Sequence, residues 1–192
     1  MRSATPMQKN LEGLVEQLLK EFDLNRDDPN LKDTPRRVAK SFLELFEGLY
    51  KETEIESILS KTFPCTYDEM VVIRDVKTAS VCPHHLLPVE LVCHVGYVPE
   101  KQVLGLSKVP RLIELLAHRP VLQEQLTDDI ASKFMKHVKP RGVMCVVQGI
   151  HSCMRIRGIK SPNSTVTTSS VKGIFHSNDK GVKDEFLRVI YG

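Results

Sequence analysis

Along the first fifty residues apolar side chains return every three or four positions. Leu11, Leu14, Val15, Leu18, Leu19 and Phe22 mark one stripe and predict an amphipathic helix over residues 8–22. The polar stretch 25–33, with Pro29 inside it, predicts a loop. Thr34-Pro35 then predicts a second helix start, with the threonine hydroxyl as cap and the proline in the first turn. Val38, Phe42, Leu45, Phe46 and Leu49 share that helix's apolar face, and Gly48 stands near its end.

From about residue 68 the pattern changes. Met70 to Val76 predicts a strand, and Val89, Leu91, Cys93, Val95 and Tyr97 alternate along a longer one. Two helices follow, one opening near Ser107 and one over about 122–137, separated at Arg119-Pro120. Residues 142–157 and 165–171 return to strand character, and Phe186, Leu187 and Ile190 mark a closing helix. The sum is an α+β chain. A helical N-terminal region, residues 1–60, precedes an antiparallel sheet with a helix pair inserted, residues 61–192.

Composition narrows the partners. With 192 residues, 41% hydrophobic and 27% charged, the chain can bury a full core. A formal net charge of +3 is too small to argue for nucleic acid, yet it permits local basic patches suited to a small polyanion. No apolar stretch reaches the length needed to cross a bilayer, and Met1 to Asn10 lacks the apolar block of a signal peptide. The expectation is an intracellular, cytoplasmic protein.

Five cysteines without dense spacing predict free thiols, metal ligands or small core residues in a reducing compartment. Cys93 and Cys145 lie in apolar runs and read as core; Cys65 carries no signal. The informative pieces are Cys82-Pro83-His84-His85 and His151-Ser152-Cys153. Thiolate and imidazole are ligands zinc prefers, and three of them with one open position make a catalytic site. If residues 151–153 are extended, His151 and Cys153 share a face, so Cys153 can ligate while His151 stands beside it. Pro83 stiffens the other turn. Adjacent histidines generally point apart, so one is expected to ligate and the other to handle protons. Spacing alone leaves this level with two unrelated surface turns.

Longer motifs tip that balance. Asp33-Thr34-Pro35-Arg36-Arg37-Val38-Ala39-Lys40 resembles the entry helix of the GTP cyclohydrolase I family. The resemblance continues through Cys82-Pro83-His84-His85, Gly105-Leu106-Ser107-Lys108, Arg119-Pro120-Val121-Leu122-Gln123-Glu124 and His151 to Gly158. It ends in Ser164 to Ser169 and Gly173-Ile174-Phe175, so that in order it covers roughly residues 10–190.

The resemblance implies a T-fold, an antiparallel sheet with a helix pair on one face, preceded by N-terminal helices. It implies a homo-oligomer, usually a decamer of two stacked pentamers, with active sites between subunits. The family's reaction opens the guanine imidazole ring of GTP, releases formate and gives 7,8-dihydroneopterin triphosphate. By the same pattern Cys82, His85 and Cys153 hold one zinc ion per subunit. His84 and His151 move protons, and Ser107 stands near the sugar, where its plainer role is a helix cap. Glu124, helped by Gln123, clasps the guanine edge, whose paired N–H donors adenine lacks. Lys108, Arg111, Arg157 and Arg37 match phosphate-binding positions.

Two departures from the family pattern stand close to the site. Pro83 replaces a usual acidic residue, and Gln125 replaces a usual arginine. Rival readings are a different T-fold enzyme acting on a pterin or deazapurine, or a non-catalytic paralogue that binds zinc or a purine nucleotide. The first lacks these paired motifs; loss of His84 or His151 would favour the second, and both are present.

Overall fold

The computed structural model describes residues 4–25, 27–176 and 181–192. Contacts divide the chain into two units, 1–47 and 48–192. In the first, helix α1 (Pro6–Glu21) packs against α2 (Thr34–Leu45). The Thr5 hydroxyl caps α1 by accepting from the Gln8 amide. For α2 the expected threonine cap is corrected: Asp33 occupies the cap position without a side-chain cap bond, and Thr34 is already helical. The helix therefore relies on Pro35 in its first turn, whose missing N–H costs nothing there.

The second unit begins with Gly48, which does not end α2. A side chain there would meet the Leu115 and His118 carbonyls, so glycine permits a close backbone approach, and its amide donates to His118 O at 2.9 Å. Helix α3 (Glu52–Leu59) follows, then β1 (Thr62–Pro64), β2 (Val71–Val81), β3 (Pro88–Val98) and β4 (Gln102–Leu104). Helices α4 (Lys108–Ala117) and α5 (Gln123–His137) come next, then β5 (Gly142–His151), the single turn α6 (Ser152–Arg155), β6 (Val166–Gly173) and α7 (Gly181–Tyr191). β1 and β4 make a small antiparallel pair, and the main antiparallel sheet runs β2-β3-β5-β6. Two hairpin-like strand pairs with a helix pair between them form the T-fold.

One sheet face is the core. Val89, Leu91, Cys93, Val95 and Tyr97 alternate onto it from β3, and Val143, Cys145 and Val147 join them from β5. Leu112, Ile113 and Leu116 of α4 and Leu126, Ile130 and Phe134 of α5 close it. Cys93 and Cys145 are buried core residues as expected, and burial alone pushes the Cys93 thiol up to about 12. The opposite face is covered at one end, where Phe186 of α7 sits on Gly96. Phe186→Ala is expected to cost about 3–5 kcal/mol, read as a fall in the urea unfolding midpoint; an unchanged midpoint would show that α7 contributes nothing to this unit.

β2 runs further than the apolar pattern suggests, through a bulge between Ile73 and Val76. Asp75 takes φ 59° there, and its amide donates to buried His94 Nδ1 at 3.2 Å. The continuation delivers the chain at Cys82, where the next turn starts.

Candidate metal centre and active site

The β2–β3 turn is closed by two backbone bonds, Cys82 N–H to Leu87 O and Leu86 N–H to Cys82 O, both 2.9 Å. Leu86 takes φ 54° to complete it. Cys82 faces inward and is buried, while Pro83, His84 and His85 are exposed. The two imidazoles stand 6.2 Å apart at 71°. His85 Nδ1 lies 3.6 Å from Cys82 Sγ, and His84 Nδ1 lies 4.0 Å from it.

β5 brings the second fragment alongside, because Val89 pairs with His151. The extended reading of residues 151–153 is corrected here. The strand stops at His151 and the chain coils into α6, with Ile156 N–H returning to Ser152 O. That coil carries Cys153 to the first turn: the donor atoms of Cys82, His85 and Cys153 all lie within 4.8 Å of one another. Two sulfurs and one imidazole nitrogen at that spacing fit a cation that prefers soft and borderline donors. Burial and the neighbouring Cys82 thiol push the Cys153 thiol up, since adjacent thiols oppose each other's ionisation. A divalent cation removes that opposition, so the donor set suits metal binding.

His151 is half-buried and does not join the three donors. Burial lowers its pKa, and the Glu124 carboxylate opposes that shift. Glu124 is thereby placed near His151, exposed in the first turn of α5. Gln123, read from sequence as a helper at the guanine, is buried. Its amide is engaged with His151, with strands β5 and β6 and with Thr168. Gln125 turns along α5 to Asp129 at 2.8 Å.

The cations are distributed. The Arg157 guanidinium donates from Nη1 to His85 Nε2 at 2.7 Å, which puts it at the cluster. Lys108 and Arg111 lie on the first turn of α4, and their side chains make no hydrogen bond or ion pair among the described residues. Ser107 sits at the cap position of α4 without a cap bond from its hydroxyl, so its capping role is absent. Arg37 belongs to the first unit, where it is paired with Asp33 at 3.6 Å.

Sequence reading missed Thr127, Thr168 and Gly149. The first two are small hydroxyls of the kind that strands and helices carry everywhere. Gly149 did leave a signal, because an isolated glycine inside a strand marks a close approach.

Comparison with known proteins agrees along the chain. The sequence model of the family described as GTP cyclohydrolase I matches residues 11–191. GTP cyclohydrolase 1 of Mycobacterium tuberculosis is 43% identical over 173 residues, 89% of this chain and 85% of its own. The protein of that name in Mycolicibacterium vanbaalenii is 42% identical over 185 residues, 95% of this chain and 90% of its own. That of Streptomyces griseus is 43% identical over 168 residues, covering 86% and 83%. With a match that runs from α1 to the end of α7, the chain belongs to the GTP cyclohydrolase I family.

Proposed function

We propose that this protein hydrolyses the imidazole ring of GTP, releasing C8 as formate and forming 7,8-dihydroneopterin triphosphate, with zinc held by Cys82, His85 and Cys153. The observation that carries the reading is the meeting of those three donors within 4.8 Å. Zinc held there supplies Lewis-acid activation of a water molecule at neutral pH.

The protein side chains divide the remaining work. His84, exposed beside the donor group, protonates the purine nitrogen as C8 becomes tetrahedral. His151 moves protons during ring opening and the later sugar steps, and Ser107 stands at the ribose. Glu124 accepts the parallel N–H donors of the guanine edge. Lys108, Arg111 and Arg157 take the triphosphate. His85 can offer Nδ1 to a cation only with its ring proton on Nε2. Arg157, which donates to that nitrogen, must then find another acceptor, and a phosphate oxygen is one.

An oligomer completes this picture. β2 and β6 end the main sheet with edges that invite pairing, and Ile156 and Ile159, just past the cysteine turn, are 69% and 78% exposed. A second copy of the chain covers such surfaces, in the family's usual decamer. Among the described residues no helix is long and apolar enough to cross a membrane, and we place the enzyme in the cytoplasm, at the head of pterin and tetrahydrofolate biosynthesis.

The test is to incubate the zinc-loaded protein with GTP and measure formate together with a pterin that fluoresces after oxidation. Stoichiometric zinc without either product would instead support a binding module. Glu124→Gln is expected to weaken GTP binding about 10- to 100-fold, from about 1.5–3 kcal/mol lost with a charged acceptor. Tripolyphosphate binding should stay unchanged. Equal GTP affinity in the variant, by calorimetry, would remove Glu124 from the base clasp.

A further inference from the structure

The Gln123 amide has one possible orientation. Its Nε2 lies 3.0 Å from Val147 O, 3.0 Å from Val166 O and 3.1 Å from Thr168 Oγ1. Two are carbonyl oxygens, which only accept, so the NH2 group must face them. The hydroxyls agree with this. Thr127 donates to Gln123 O at 2.7 Å, leaving its oxygen to accept from Thr168 at 2.6 Å. Thr168 has then given away its proton and can accept only by sharing one of the two amide N–H bonds with a carbonyl. The donors run in one ring: Gln123 side chain, Thr168, Thr127, Gln123 main chain.

With its NH2 fixed, Gln123 turns Oε1 toward His151 Nε2 at 2.8 Å. An amide oxygen has no proton to give, so the proton of that bond belongs to the imidazole. We propose that Gln123 is a positioning residue that keeps a proton on His151 Nε2, so that whenever the ring is neutral it is the Nε2–H tautomer and accepts at Nδ1. This rests on the reading of His151 as a proton-handling residue. It gives Gln123 a role at the histidine in place of one at the guanine.

Gly149 makes room for the side chain that reaches His151. It lies on β5 between Leu91 and Val166, and a Cβ there would come within 2.0 Å of Gln123 Oε1. The strand is without a side chain where the amide oxygen passes on its way to His151. Three elements of the fold thus converge on one proton position: α5 supplies Gln123 and Thr127, β5 the Val147 carbonyl and Gly149, and β6 Val166 and Thr168.

The test is long-range 1H–15N correlation on zinc-loaded protein labelled at histidine nitrogens, with His151→Asn for assignment. A protonated Nε2 and an unprotonated Nδ1 in the wild type are expected; the reverse pattern overturns the proposal without any variant. Gln123→Met removes the acceptor at similar volume and is expected to mix the tautomers. It should also lower kcat at least about tenfold with KM little changed. Unchanged tautomer and kcat in Gln123→Met would show that something else sets the ring. If the wild type turns over no GTP, the functional reading fails while the tautomer result still decides this one.

Discussion

Replacing Cys153 with alanine is expected to remove zinc and turnover together. Protein sites of this chemistry bind zinc with about 10–16 kcal/mol at neutral pH. Divided over three protein donors, each is worth roughly 3–5 kcal/mol, so losing one thiolate weakens binding roughly a hundred- to several-thousandfold. Cys82 and His85 sit on one turn and keep their 3.6 Å approach without it. Two ligands from a single tight turn do not make a closed grip, and the third comes from a different strand end. Competition against a chromophoric chelator measures the loss directly. Cys65→Ala is the control: that thiol is hydrogen-bonded to the Tyr67 backbone and lies outside the three-donor group, so zinc content and activity should be unchanged. If Cys153→Ala keeps its zinc at wild-type affinity, the three-donor centre is wrong.

What the sequence made legible follows from the range over which each feature is determined. The alternation in β3 is local and places its residues in the core as expected, and α5 falls over the helical range the sequence predicts. β1 and β4 were not legible, because three residues each give no period and their pairing spans forty positions. The turn at Ser152 was also hidden. His151-Ser152-Cys153 carries no helix signal, and only the end of pairing with Val89 releases the chain to coil. The metal group could be suspected from paired motifs but not built from them, since its geometry depends on β2 and β5 both ending beside the same turn.

Gln123 is the sharper case. From sequence it is a polar residue opening a helix beside Glu124, and both residues read alike. Their environments differ by one helical step: Glu124 faces solvent and keeps its carboxylate available, while Gln123 turns under the sheet. Nothing within ten residues fixes the amide. Its partners lie 24 to 45 positions away.

The second large effect separates metal binding from proton transfer. His84→Ala is expected to retain zinc and to lower kcat about 10²- to 10⁴-fold, the usual contribution of a positioned general acid. His84 and His85 are neighbours, but the three-donor group takes only His85; the His84 ring stands apart at 71° and is exposed on the solvent side. Removing it leaves the Cys82 thiol, the His85 approach and the turn's two closing backbone bonds in place. KM should change little, because the residues proposed for phosphate and guanine are other ones. Formate release in a single turnover, measured beside zinc content, distinguishes the outcomes. Loss of zinc equal to that of Cys153→Ala would make His84 a ligand. Full activity with zinc retained would move the proton donor to another group, and His151 on its Gln123 support would be the next candidate.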